Sequence, residues 1–210
     1  IAMAGAHQLW RLSTRGGIAK WFSGNGVEDI VDGRLKSTVY GQLGYASYAQ
    51  PSGLATDGKW LYVADSEGSS IRAVPLRTGA TRYVQTVLGT SALANNRLFT
   101  FGDRDGRVTQ ALLQHPLGIV SVGQRLFIAD TYNNKIKMLD LQSRVIRTLA
   151  GTPQPGNTDN PPRFDEPAGI SYAAGKLYVA DTNNHSIRVL DLNNRTVSTL
   201  VIDRLPAPNP

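Results

Sequence analysis

The sequence contains no cysteine, which excludes disulfide bonds, thiolate metal sites and a cysteine nucleophile within its 210 residues. No apolar run approaches the roughly 18 residues that a membrane-spanning helix needs. The start IAMAGAHQLW lacks the basic-then-apolar layout of a signal peptide. We therefore expect no membrane association. Localisation is left unknown, with the cytoplasm favoured.

The composition is typical of a packed, turn-rich domain, because 41% of the residues are hydrophobic, 18% are charged and 21 are glycine. A formal net charge of +6 makes acidic partners, including nucleic acid, worth considering. The basic residues are scattered, however, and close pairs such as Lys135 with Lys137 are typical of a solvated strand face.

An internal repeat organises the chain. Three copies align almost without gaps: QPSGLATDGKWLYVADSEGSSIRAVPL, HPLGIVSVGQRLFIADTYNNKIKMLDL and EPAGISYAAGKLYVADTNNHSIRVLDL. Each copy has a proline at its second position and an aspartate after its second apolar run; these residues are Pro51, Pro116 and Pro167, and Asp65, Asp130 and Asp181. A fourth, truncated copy, IAMAGAHQLWRL, opens the chain and aligns His7 with His185.

Each copy predicts four short β-strands. Turn-forming segments such as SEGSS, TYNNK and TNNHS separate the second strand from the third, which indicates tight hairpins. Four short antiparallel strands bury too little surface alone, but radially stacked sheets cover each other's faces. The repeat therefore predicts an all-β propeller.

The repeated pattern Pro-x-Gly-Ile/Leu, then Leu-Tyr-Val-Ala-Asp-Thr, then Asn-Asn/His-x-Ile-Arg/Lys resembles the NHL repeat. The segments IAMAGAHQLW, FGDRDG followed by LQHPLG, and LYVADTNNH are similar to the subfamily in which a thioredoxin-like domain precedes a six-bladed NHL propeller. The resemblance implies an NHL-type β-propeller segment of four-stranded blades, with three full repeats and one partial repeat. It also implies that further blades and the thioredoxin-like domain lie upstream, so that self-association or complementation by the missing blades would cover the open ends.

We expect one propeller segment over residues 1–210. Its predicted parts are a partial blade and connector (1–49), a blade with a long connector (50–114), a blade and connector (115–165), a blade (166–203) and a tail (204–210). The long connector, Ser91 to Gln114, is predicted to form a raised loop on one face, where function is often placed.

The repeated charged residues admit two interpretations. The aspartates Asp65, Asp130 and Asp181 could form a carboxylate ring around a channel, but their recurrence in every unit favours a structural role. A cation follows each aspartate after seven residues: Arg72, Lys137 and Arg188. These cations could line a binding face, although we favour an ion pair with a carboxylate of the same or the next blade.

Metal sites receive little support from the sequence. The resemblance implies a possible zinc site, because NHL-type propellers include lyases that hold zinc with histidines in the central channel. In this sequence, however, His7 and His185 share one repeat position and His115 occupies another, so we do not expect the three side chains to meet at one point. Asp103 and Asp105, followed by Gly106, look like the opening of a calcium loop but lack the later acidic ligand. We interpret FGDRDG as a connector turn and expect neither metal nor cofactor.

No catalytic motif stands out, so a noncatalytic scaffold that binds protein or peptide is the leading hypothesis. Single-stranded RNA binding is the first alternative, with Tyr132 beside Lys135 as the candidate stacking pair. A metal-dependent lyase or lactonase-like enzyme is the second alternative. The candidate binding residues are Arg72, Asp103, Asp105, Tyr132, Lys135, Lys137, His185 and Arg188.

Overall fold

The chain folds into four antiparallel β-sheets that follow one another along the sequence. A computed structural model describes residues 1–37, 39–77, 82–89, 98 and 100–201. The predicted tail and most of the first part of the connector after Ser91 lie outside these residues. Strands dominate, and the described residues include short 3₁₀ turns at Ala4–Ala6 and Thr131–Asn133. No helix in the described part of the chain is long and apolar enough to cross a membrane.

The sheets are numbered in chain order. Sheet 1 contains β1 (Ala2–Met3), β2 (Gln8–Arg11) and β3 (Lys20–Ser23). Sheet 2 contains β4 (Gly33–Arg34), β5 (Pro51–Thr56), β6 (Trp60–Asp65), β7 (Ser70–Pro75) and β8 (Tyr83–Leu88). Sheet 3 contains β9 (Gly106–Arg107), β10 (Pro116–Val122), β11 (Arg125–Asp130), β12 (Lys135–Asp140) and β13 (Val145–Gly151). Sheet 4 contains β14 (Pro167–Ala173), β15 (Lys176–Asp181), β16 (Ser186–Asp191) and β17 (Thr196–Thr199).

Sheets 2 and 3 differ from the predicted four-stranded unit because each gains a fifth strand. The connector before each sheet contributes two residues, β4 or β9, which pair with the outermost strand, β8 or β13. Both short strands are a Gly-Arg pair that follows an aspartate, Asp32 or Asp105. The FGDRDG segment is therefore a connector that ends in an edge strand.

The hydrophobic core consists of three clusters, one for each contact between neighbouring sheets. Side chains alternate along the strands, as the strand period of two requires. In β6, for example, Val63 packs towards sheet 1, whereas Tyr62 and Ala64 pack towards sheet 3. Each inner sheet thus buries both of its faces, as radial stacking predicts.

The inner strands approach one another closely at the Pro-x-Gly glycines of sheets 2 and 3. A Cβ atom added to Gly53 would lie 2.5 Å from the carbonyl oxygen of Leu117 in the next sheet. A Cβ atom on Gly118 would lie 1.9 Å from the carbonyl oxygen of Ala168. These distances are far below van der Waals contact, so the repeated glycine is required for the packing of neighbouring sheets.

Sheet 4 has an open face in the described part of the chain. Its residues Tyr178, Ile187 and Val189 are half-buried, whereas the equivalent residues of sheet 3 are buried against sheet 4. Those equivalents are Phe127, Ile136 and Met138. The predicted self-association or complementation by further blades concerns this face and remains a prediction.

Candidate functional site

The repeated aspartates and cations form one buried ion pair in each of sheets 2 to 4. Asp65 binds Arg72 at 3.1 Å, Asp130 binds Lys137 at 3.1 Å and Asp181 binds Arg188 at 2.9 Å. Each aspartate also accepts a backbone N–H bond from the residue 16 positions earlier, at the end of the preceding connector. The pair therefore fixes the start of the inner strand against the two strands that follow.

A second carboxylate from the connector completes each ion pair. Its members are Asp32 (2.9 Å from Arg72), Asp105 (3.3 Å from Lys137) and Asp159 (2.6 Å from Arg188). Each accepts a hydrogen bond from a threonine hydroxyl of the outermost strand: Thr86, Thr148 and Thr199. We call this arrangement the connector tie. It links the connector, the third strand and the outer strand of a single sheet.

The choice between arginine and lysine in the connector tie follows a neighbouring side chain. Arg72 lies over the ring of Tyr48 at 5.4 Å, and Arg188 lies over the ring of Phe164 at 5.3 Å. Leu113 occupies the equivalent position in the sheet that contains Lys137. A planar guanidinium stacks on an aromatic ring better than an ammonium group does, which explains the pairing of residue types.

Burial shifts the pKa of two repeated aspartates, Asp65 and Asp130. It raises the pKa of Asp65 to about 6, against the opposing charge of Arg72 and the N–H bond from Ala49. Burial also raises the pKa of Asp130. Burial alone would lower the pKa of Lys137, but the negative charges of Asp130 and Asp103 outweigh it and raise that pKa. These side chains are charged partners inside the protein, so Arg72, Lys137 and Arg188 do not present free charge to a ligand.

Two lysine ammonium groups bind Asp103 and Asp105, the residues that resemble a calcium loop. Asp103 accepts hydrogen bonds from both Lys135 and Lys137, and Lys137 also contacts Asp105. Burial alone would raise the pKa of Asp103, but the two lysine hydrogen bonds outweigh burial and lower it. Lysine therefore supplies the positive charge at this site.

An exposed aromatic cluster lies beside these residues. It consists of Phe101, His115 and Tyr132, and Glu67 adjoins it. The rings of His115 and Tyr132 stack with centroids 4.5 Å apart, and the Phe101 ring lies 6.1 Å from His115. His115 Nε2 is 3.0 Å from Glu67 Oε2. Tyr132 is 50% exposed and Phe101 is 49% exposed, so both rings offer apolar surface to a partner.

The backbone holds the aromatic cluster in place. The His115 N–H donates to the Ser69 hydroxyl, and the Tyr132 N–H donates to the Gln114 carbonyl. Sequence reasoning found Tyr132 but missed Phe101 and Glu67 as neighbours. No local pattern links these residues, since Glu67 belongs to sheet 2 and Phe101 belongs to the connector.

The three histidines occupy backbone positions with positive φ. His7 and His185 end the same turn in sheets 1 and 4 (φ 52° and 49°), and His115 precedes the proline of sheet 3 (φ 48°). Among the described residues, no three or more His, Cys, Asp or Glu side chains come together in a way that could hold a metal ion. His185 is exposed and lies apart from the aromatic cluster.

Four antiparallel sheets, with inner strands packed at repeated glycines and with one ion tie per full repeat, form a segment of a β-propeller. The NHL repeat family model matches residues 164–190, which run from the connector into sheet 4.

Longer proteins contain similar sequences. The chain is 42% identical over 220 residues to the chloroplastic protein SUPPRESSOR OF QUENCHING 1 of Arabidopsis thaliana; the match covers 100% of this chain and 20% of that protein. It is 41% identical over 231 residues to human NHL repeat-containing protein 2, with 97% of this chain and 30% of that protein covered. The chain thus spans less than a third of the length of either relative.

Solved structures show the same fold at low sequence identity. An auxiliary nutrient binding protein from Bacteroides thetaiotaomicron matches with a TM-score of 0.57 and 16% identity, over 93% of this chain and 43% of that one. Virginiamycin B lyase from Staphylococcus aureus matches with a TM-score of 0.53 and 13% identity, over 96% of this chain and 51% of that one.

Proposed function

We propose that this propeller segment is a noncatalytic scaffold that binds a protein or peptide at the aromatic cluster. The observation that carries the proposal is the pair of half-exposed rings, Phe101 and Tyr132, which both contact the ring of His115. Aromatic side chains that are already ordered bury a large apolar area at a low cost in conformational entropy, and they are enriched among interface hot spots.

In the longer parent protein, we propose that the propeller selects or positions clients for a thioredoxin-like redox domain. The support is the resemblance to the subfamily that joins these two domains, together with the length of the relatives. The propeller itself contributes binding only. Deleting it from the parent should reduce redox turnover of a protein client but leave turnover of a small dithiol substrate unchanged.

RNA binding is less well supported by the same geometry. Tyr132 could stack on a base, but the nearby Lys135 and Lys137 already pair with Asp103. An RNA phosphate could bind these lysines only if their ion pairs with Asp103 were broken, and this would reduce the free energy of RNA binding. The enzyme alternative lacks a cluster of metal ligands among the described residues.

The experiment is a selection from a random 12-residue peptide library against the wild-type chain. We expect the selected peptides to lose about 2 kcal/mol of binding free energy, roughly 30-fold in Kd, in a Phe101→Ser/Tyr132→Ser variant. Tyr40→Ser removes an exposed aromatic side chain from another connector and serves as the control. Unchanged Kd values in the double variant would contradict the proposal.

A salt series with a random single-stranded RNA pool separates the alternatives. Fluorescence anisotropy that shows binding near physiological salt, and its loss in the double variant, would replace the peptide proposal with RNA recognition. Binding that vanishes as salt is raised would identify the net charge as a general surface property.

A further inference from the structure

Two grooves of the same construction lie between neighbouring sheets, at the opposite end of the strands from the aromatic cluster. Groove A lies between sheets 2 and 3 and has a volume of about 340 Å³; groove B lies between sheets 3 and 4 and has a volume of about 230 Å³. Equivalent repeat positions line both grooves: Tyr62 and Phe127, Leu139 and Leu190, Leu141 and Leu192, and Arg144 and Arg195. The grooves are therefore a property of the repeat.

Groove B has an apolar floor. The floor contains Phe127 and Met138 from sheet 3 and Leu190 from sheet 4, with the half-buried Leu149 and Leu192 nearer to solvent. Its volume lies below the range of about 300–1,000 Å³ that is usual for small-molecule sites. A groove of this size suits one large apolar side chain of a partner.

The rim of groove B carries unpaired positive charge. Arg147 and Arg195 are exposed, and their side chains form no hydrogen bond or ion pair with any residue that the structure describes. Two carboxylates, Asp140 and Asp191, share the rim, and each faces the charge of a neighbouring cation, Arg125 and Lys176. Arg147 and Arg195 are thus the charged groups available to a ligand.

The backbone at the rim supports a role for the arginine side chains. Arg144 in groove A and Arg195 in groove B have φ values of 56° and 57°. Glycine or asparagine adopts this left-handed conformation at a lower cost than arginine does. Arginine nevertheless occupies the position in both repeats.

From the apolar floor and the two free guanidinium groups, we infer that groove B binds an extended acidic segment of a partner protein. The segment presents one large apolar side chain to the floor and carboxylates on both sides of it to Arg147 and Arg195. Groove A carries Lys59, Arg144 and the carboxylate Asp57 on its rim. Groove B is separate from the aromatic cluster.

The test uses a fluorescein-labelled peptide in which one phenylalanine lies between two pairs of aspartates, with glycine and serine at the ends. We expect saturable binding by anisotropy, and a Kd about 3- to 10-fold weaker in the Arg147→Gln/Arg195→Gln variant, as is usual for two exposed ion pairs. The Arg15→Gln/Lys20→Gln variant loses the same charge elsewhere on the surface and should bind like the wild type.

Two control peptides define the chemistry. Replacing the phenylalanine by serine, or the aspartates by asparagines, should each abolish most of the binding. No binding of the parent peptide, equal binding of the serine peptide, or equal weakening in both charge variants would overturn the inference. The Phe101→Ser/Tyr132→Ser variant should bind this peptide normally, so failure here and failure of the aromatic-cluster proposal are distinguishable.

Discussion

At the scale of single residues, the repeated aspartate and its cation carry charge at a place that water does not reach. Asp65 and Arg72 have no exposed side-chain surface, so each depends on the other and on the groups around them. Removing one member of a buried pair is more costly than the net gain from forming it, because the remaining charge stays buried. Arg72 has a second partner in Asp32, which reduces the loss of stability expected when Asp65 is removed.

Asp65→Asn tests the tie without changing the shape of the side chain. We expect a loss of about 3 kcal/mol in the free energy of unfolding, at the lower end for a broken buried pair because Asp32 remains. Urea unfolding followed by circular dichroism measures the loss. Glu166→Gln makes the same chemical change at an exposed position and should stay within about 0.5 kcal/mol of the wild type. Equal losses in both variants would refute a special role for Asp65.

Asp103 gives the acid dependence of stability a definite sign. Burial would raise its pKa, but Lys135 and Lys137 hold it below the ordinary value of 3.8. A carboxyl with a lowered folded pKa contributes stability that is present above its unfolded pKa and is lost as pH falls through its folded pKa. The lysine contacts therefore stabilise the protein at neutral pH and weaken in acid.

Asp103→Asn should remove this contribution at neutral pH. We expect the stability difference between wild type and variant to be constant from about pH 7 to pH 5 and to shrink below about pH 4. Urea unfolding across this range measures the difference. A difference that stays constant down to about pH 3 would show that the lysines do not depend on the charge of Asp103.

At the scale of elements, the inner strands depend on the glycine of the Pro-x-Gly segment. Gly53 and Gly118 face the backbone of the next sheet, whereas the equivalent Gly169 has only the Ala180 Cβ within reach, at 3.5 Å from an added Cβ. The same repeat position is therefore crowded inside the stack and free on the open face of sheet 4.

Gly118→Ala and Gly169→Ala form a matched pair. We expect Gly118→Ala to cost about 1–3 kcal/mol or more, because the Ala168 carbonyl must move away from the new methyl group. Gly169→Ala should change stability by less than about 0.5 kcal/mol. Thermal and urea unfolding of both variants check this expectation, and a similar cost at the two positions would argue against the close approach of β10 and β14.

At the scale of the whole molecule, the repeat in the sequence predicted the architecture. Pro51, Pro116 and Pro167 begin the inner strands β5, β10 and β14, and the recurring apolar runs became strands with the expected hairpins. The all-β propeller fold is confirmed. A short unit repeated in register leaves few alternatives, since each copy must bury its faces against the next.

The fifth strands and the aromatic cluster could not be predicted in the same way. Gly33–Arg34 and Gly106–Arg107 are too short to show a strand period, and only their partners on the outer edge make them strands. The contact between His115 and Glu67 joins residues from two sheets. Such contacts arise from the stacking of sheets, and no pattern in either local sequence predicts them.

The connector tie also divides each repeat into a part of constant length and a part whose length differs between repeats. The two tied aspartates are separated by 33 positions in sheet 2 (Asp32 and Asp65) and by 22 positions in sheet 4 (Asp159 and Asp181), yet the contacts at both ends are alike. Longer loops add little closure entropy. Insertions between these anchors can therefore accumulate during evolution without loosening the fold, and new partners can be acquired through connector length alone.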